Sequence, residues 1–154
     1  FGKSDLVDAC RLMASPAHGI GRPLKIGKEE IVGLVTALER YVDGDAEEEH
    51  RLWESKVRHM AEALEGLPHT TVACTTVDEV DRPVPRVCLR VEEETLGTPA
   101  AEIVARLRRA EPPVWVQPFR LHEGVLILNP VCLLEGDEEL VVQALREVWR
   151  QLGQ

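Results

Sequence analysis

The chain has 154 residues and is short of cations: 18 lysines and arginines against 27 aspartates and glutamates, a formal net charge of −9. This balance argues against a general binder of nucleic acid or anionic membranes, which need surplus positive charge. No run approaches the 18 apolar residues of a membrane helix, and no signal-peptide pattern is present, so a cytoplasmic location is expected. Cys10, Cys74, Cys88 and Cys132 stand far apart with no C-x-x-C. They are expected to be reduced and mostly buried. His50, His59, His69 and His122 lack metal-ligand spacing, and no metal is expected. There is no internal repeat. The acidic runs Glu47-Glu48-Glu49 and Glu92-Glu93-Glu94 read as solvated faces or turns.

What is present suffices for a core. Hydrophobic residues make up 44% and charged residues 29%, normal for one globular domain, or a small domain with an appendage. Ser4 or Asp5 is expected to cap a helix from Leu6 to Met13, with Phe1-Gly2 as the end of a strand. The start at Phe1 reads as an entry into the middle of a fold, so the chain is expected to be the C-terminal part of a longer protein. Ile31, Leu34, Val35, Leu38 and Val42 recur at helical spacing over Lys28 to Val42. A second long helix is expected from Ala46 to Glu65, with Trp53, Val57, Met60, Ala61 and Leu64 as its stripe, stopped by Gly66 and Pro68.

From residue 70 onward the pattern changes. Strands are expected at Thr70 to Val77, Val84 to Val91, Val114 to Gln117 and Gly124 to Leu128. A helix is expected from Pro99 to Ala110, capped by Thr98 and ended by Pro112-Pro113, and a last helix follows a cap at Asp137. Four strands with two helices on one face make a two-layer α+β unit. The expected division is 1–45, a connecting helix 46–65, and a small domain 66–154. In the second strand Val87, Leu89 and Val91 share one face. Arg86 and Arg90 lie on the other, read as a solvent-facing sheet surface.

The most informative stretch runs from His18 to Glu30. It packs three glycines with His18, Arg22, Lys25 and Lys28 ahead of an amphipathic helix. A basic, glycine-rich loop at a helix entrance is a template for holding a phosphate or carboxylate. Arg22 offers a planar fork, Lys25 a point charge, and Pro23 stiffens the turn between them. His18 is a candidate substrate contact or proton carrier. Lys28 reads as an exposed lysine at a helix start. The competing reading of the loop is a solvated segment whose cations pair with nearby acids.

Phe1-Gly2-Lys3-Ser4-Asp5-Leu6, followed by Gly19-Ile20-Gly21-Arg22-Pro23-Leu24-Lys25-Ile26-Gly27-Lys28-Glu29-Glu30-Ile31-Val32-Gly33-Leu34, resembles the selenocysteine synthase-like family of fold-type-I pyridoxal-phosphate enzymes. That family includes L-seryl-tRNA(Sec) selenium transferase and the D-glucosaminate-6-phosphate ammonia-lyases. The arginine-proline-x-lysine pattern at Arg22 to Lys25 is closer to the ammonia-lyase branch, and Gly136-Asp137-Glu138-Glu139-Leu140 extends the likeness toward the end of the chain. The resemblance implies a C-terminal portion: residues 1–45 as the tail of the large cofactor domain, and the rest as a connecting helix and the small domain.

It implies pyridoxal 5'-phosphate as cofactor of the full-length protein, a Schiff-base lysine upstream of Phe1, and no catalytic residue in this chain. It further implies Arg22, Lys25 and His18 near an anionic group of a small substrate, and a homo-oligomer with its site at a subunit interface. Many aminotransferases of this fold carry a carboxylate-binding arginine near the last strand, but Val125-Leu126-Ile127-Leu128-Asn129-Pro130 has none. Elimination on a small anionic amino acid or amino-sugar acid is therefore the leading expectation. A selenium-transferase-like β-replacement is the alternative, with tRNA not expected on this acidic segment. A non-catalytic α+β binding or assembly module is the alternative from another class.

Overall fold

The computed structural model describes residues 2–153, so the strand end expected at Phe1 lies outside the described residues. The chain divides into two compact units, residues 1–45 and 46–154.

The first unit holds two helices, α1 (Ser4–Met13) and α2 (Lys28–Asp43), joined by the glycine-rich loop. Neither helix has a buried residue. The expected cap at Ser4 or Asp5 is replaced by Lys3 in extended conformation, with no side-chain cap bond. The helix begins two residues earlier than expected, because Ser4 and Asp5 are taken into its first turn.

The second unit carries the core. It contains α3 (Ala46–Leu64), β1 (Thr70–Thr75), β2 (Arg86–Val91), α4 (Glu93–Leu96), α5 (Ala100–Leu107), a 3-10 turn at Leu121–Glu123, β3 (Val125–Leu128) and α6 (Asp137–Leu152). The sheet is antiparallel in the order β1-β2-β3. Leu89 stands opposite Val72 and Leu126, and Val87 opposite Cys74 and Leu128. Alternation puts Val87, Leu89 and Val91 on the core face, as expected from a period of two. They pack with Val57, Met60 and Leu64 of α3, Ile103, Val104 and Leu107 of α5, and Val142, Leu145, Val148 and Trp149 of α6. Three helices therefore cover the sheet rather than two, and the helix expected as a connector is one of them.

The fourth expected strand is reduced to a single antiparallel bridge, Gln117 to Ile127. The Val114 N–H bonds to the Leu107 carbonyl (2.9 Å), leaving the Gln117 N–H to reach Ile127 (3.1 Å). Pro113 and Pro118 flank the segment and have no N–H to give a ladder. The helix α5 starts at Ala100 and ends at Leu107, short of the expected Ala110. Its cap is neither Thr98 nor a turn residue: the Glu93 carboxylate, from a run read as solvated, accepts the Ala100 N–H at 2.6 Å. Gly136 precedes α6, and Asp137 accepts the Leu134 N–H at 2.8 Å, tying the approach loop instead of capping the helix. Gly66, with φ +80, ends α3 as a left-handed residue that favours glycine.

Arg86 is buried, against the expectation of a solvent-facing position. Its Nη1 grips Glu79 at 2.5 and 2.6 Å, and its Nη2 lies 3.5 Å from Asp78. Asp78 in turn accepts the N–H groups of Val80 and Arg82 and the Arg82 guanidinium. Burial opposes its ionisation, but these donors bring its carboxyl down to about 2. The turn before β2 is thus organised around an ion cluster, not around water. Three cysteines are exposed and Cys88 is half-buried, all as free thiols, so the expectation of mostly buried thiols fails. Among the described residues no helix is long and apolar enough to cross a membrane.

Candidate functional site

The loop between α1 and α2 is shaped by its glycines. Gly19 lies against the last residue of α1, where a Cβ would run into the Met13 backbone; at Gly21 it would sit 2.9 Å from the Met13 carbonyl oxygen. The Gly21 N–H donates to that carbonyl at 2.9 Å, and Ala14 and Gly21 form a parallel bridge. Two further turns follow, Arg22 N–H to Gly19 (3.1 Å) and Leu24 N–H to Gly21 (3.0 Å). The glycines therefore serve close backbone approach, and the loop is folded back on the end of α1.

This fold brings two of the three candidate residues together. The Arg22 guanidinium donates through Nη1 to the Pro16 carbonyl at 2.7 Å, and the same nitrogen lies 3.4 Å from His18 Nε2. No described carboxylate pairs with Arg22, Lys25 or Lys28. The loop is exposed, as a solvated segment would be, while the pairing of its cations with acids is not seen among the described contacts. Arg22 is held from one side, while its Nε and Nη2 make no bond to a described residue. That edge is the one that meets a carboxylate or phosphate bidentately. Lys25 shares the loop but makes no side-chain contact with the pair; its backbone N–H bonds to Pro23. Ile20, Leu24 and Ile26 are exposed around them.

The helix entrance behaves differently from the expected anion cradle. Gly27 precedes α2 without a side-chain cap, and a Cβ there would meet the carboxylates of Glu30 and Glu29. The helix supplies its own anions to the positive end of its dipole. The helix N-terminus is thus occupied by its own carboxylates, and Arg22 is the loop cation held by a neighbouring carbonyl. Glu29 and Glu30 in the first turn were the sequence signal for this. The holding contact from Pro16 had no such signal, since any backbone carbonyl can supply it.

The lysines test the fit of a Schiff-base cofactor. Lys3, Lys25 and Lys28 are exposed. Lys56 donates to the Leu133 carbonyl and, at 2.8 Å, to the Leu134 carbonyl. The Lys56 side chain is largely buried, but its ammonium is engaged by these carbonyls and lies 3.9 Å from Glu138. A nucleophilic amine needs a desolvated setting that depresses its charge. No such setting marks one of the four as the anchor of a Schiff-base cofactor. Among the described residues no group of three or more His, Cys, Asp or Glu side chains is placed to hold a metal; His50 lies against Glu54 and His59 against Glu139.

No family model matches the chain. It is 35% identical over 147 residues to the D-glucosaminate-6-phosphate ammonia lyase of Salmonella typhimurium (strain 14028s / SGSC 2262), covering 96% of this chain and 38% of that protein. It is 34% identical, over 96% of its length and 36% of the relative's, to a 5'-C-glycyluridine monooxygenase-decarboxylase from Streptomyces sp. Among solved structures it resembles D-glucosaminate-6-phosphate ammonia-lyase with a TM-score of 0.71 and 34% identity, over 88% of this chain and 36% of that one. The chain thus spans well under half the length of these relatives. The expected likeness is borne out in sequence and in fold: over nearly its whole length this chain is a homologue of D-glucosaminate-6-phosphate ammonia lyase.

Proposed function

We propose that this chain is part of a pyridoxal-phosphate-dependent enzyme that carries out ammonia-lyase-like elimination on a small anionic amino acid or amino-sugar acid. The observation that carries this reading is the 35% identity to an enzyme of that activity over 96% of the chain. The loop adds a physical reason: Arg22 is held through Nη1 and left without a carboxylate, poised for an anionic substrate.

In this reading the cofactor is anchored by residues outside this chain. This chain's own share is binding. Arg22 grips a phosphate or carboxylate oxygen through Nε and Nη2, and Lys25 adds a second positive charge on the same loop. A charge-assisted contact of this kind is worth about 1.5–3 kcal/mol. In this reading the enzyme is a homo-oligomer that completes each site at a subunit interface.

The test uses the full-length protein loaded with pyridoxal phosphate and supplied with D-glucosaminate-6-phosphate. Release of ammonia with a keto acid is the expected result. Oxygen consumption with loss of carbon dioxide from a glycyluridine would move the assignment to the chemistry of the second relative. Selenium incorporation on charged seryl-tRNA would move it to the β-replacement reading. Absence of all three activities, with no cofactor bound, would leave a binding or assembly module.

A further inference from the structure

The contact between His18 and Arg22 constrains the chemistry of the histidine. An arginine guanidinium has five N–H donors and no acceptor, and it stays protonated in proteins. When Nη1 of Arg22 faces Nε2 of His18 at 3.4 Å, only the imidazole nitrogen can accept. For this contact to be a hydrogen bond, Nε2 must be the bare ring nitrogen, with the ring proton on Nδ1. Among the described residues Arg22 is the charged side chain bonded to the ring.

We infer that His18 is a positioning residue: its Nε2 accepts from Arg22 and orients the guanidinium for an anion instead of binding the anion itself. The guanidinium is then fixed by two acceptors on one nitrogen, the Pro16 carbonyl at 2.7 Å and His18 at 3.4 Å. Two acceptors restrict rotation about the long arginine side chain, and less entropy is lost when an anion meets the Nε and Nη2 edge. The inference rests on the anion-gripping role proposed for Arg22.

The test is nitrogen NMR of the histidine rings in the full-length protein at pH 8, with and without sulfate, the His18 signals assigned by their loss in His18→Gln. The expected spectrum has His18 protonated on Nδ1 and bare on Nε2, unchanged when sulfate is added. A proton on Nε2, or a doubly protonated ring once sulfate binds, would overturn the assignment. Substitution supplies the second readout, with sulfate titrations followed at the Arg22 Nε–H. His18→Gln places a non-titrating amide oxygen where Nε2 was and should keep the sulfate Kd within about twofold. His18→Ala should weaken it roughly three- to tenfold, the loss of one net hydrogen bond. Equal weakening in both variants, or none in His18→Ala, would also overturn the inference. The underlying role of Arg22 is checked separately. If sulfate does not bind, or binds equally to Arg22→Ala, the anion grip fails, and the ring spectrum still decides the state of His18.

Discussion

The helices α2 and α6 are both 16 residues long and both carry an apolar stripe at helical spacing, yet they meet opposite fates. In α6, Val141, Val142, Leu145, Val148 and Trp149 are buried, with the Trp149 indole N–H donated to the Pro68 carbonyl and Arg146 donated to the Ala63 carbonyl. In α2, Ile31, Leu34, Val35 and Leu38 are 45 to 65% exposed, and Val42 more so. Periodicity states that a face requires cover; it does not state what supplies the cover. The described residues supply it for α6 and not for α2. The same contrast separates the two units: the second is organised around a core, the first around the loop that presents Arg22.

The largest effect that would sharpen this contrast is in the core of the second unit. Leu145 is fully buried, so Leu145→Ala should cost about 2–5 kcal/mol through lost transfer energy and the cavity left behind. Urea unfolding followed by circular dichroism reads this directly; a loss below 1 kcal/mol would mean that α6 is not packed as described.

Next in size is a functional effect from the first unit. In the full-length enzyme, Arg22→Ala should lower kcat/KM by about tenfold or more, since a charge-assisted contact is lost. The same substitution should leave the urea midpoint of the second unit unmoved. Unchanged kinetics would remove Arg22 from the anion site.

What was legible in the sequence follows the same division. The stripe of α3, the alternation of β2 and the presence of α5 and α6 depend on local signals and were readable. The loss of the fourth strand was not, because it turns on where the Val114 N–H finds its acceptor, a non-local choice. Arg86 was misplaced for a related reason. Period two put it on the outer face correctly, but its burial comes from Asp78 and Glu79 folding over that face. At the site, His18 and Arg22 were legible as residue types, whereas the contact between them depends on Gly19 and Gly21 closing onto Met13.

The ion cluster at Asp78 gives a smaller effect with a defined sign. Its folded carboxyl titrates at about 2, below the ordinary value of about 3.9. A depressed carboxyl contributes stability that is fully present above the unfolded value and is lost as pH falls through the folded one. Stability of the second unit should therefore decline as pH drops from about 4 toward 2, and Asp78→Asn should flatten that decline. Glu147, also brought to about 2 by the Arg150 and Gln151 side chains, titrates in the same window. Because it is an exposed pair, its replacement should change the curve less. Acid titrations monitored by tryptophan fluorescence separate the two; an equal response would place Asp78 at the surface.

The smallest expected effect bears most directly on the comparison. Leu34 lies on the stripe of α2 with 65% of its surface exposed, so Leu34→Ala removes little buried area. Alanine is also at least as good a helix former as leucine, which works against any loss. The change in stability of the 154-residue chain should stay within about 0.5 kcal/mol. A cost above 1 kcal/mol in the same urea assay would show the α2 face covered in solution. In that case α2 and α6 would obey one rule, with the cover of α2 supplied by something other than the described contacts.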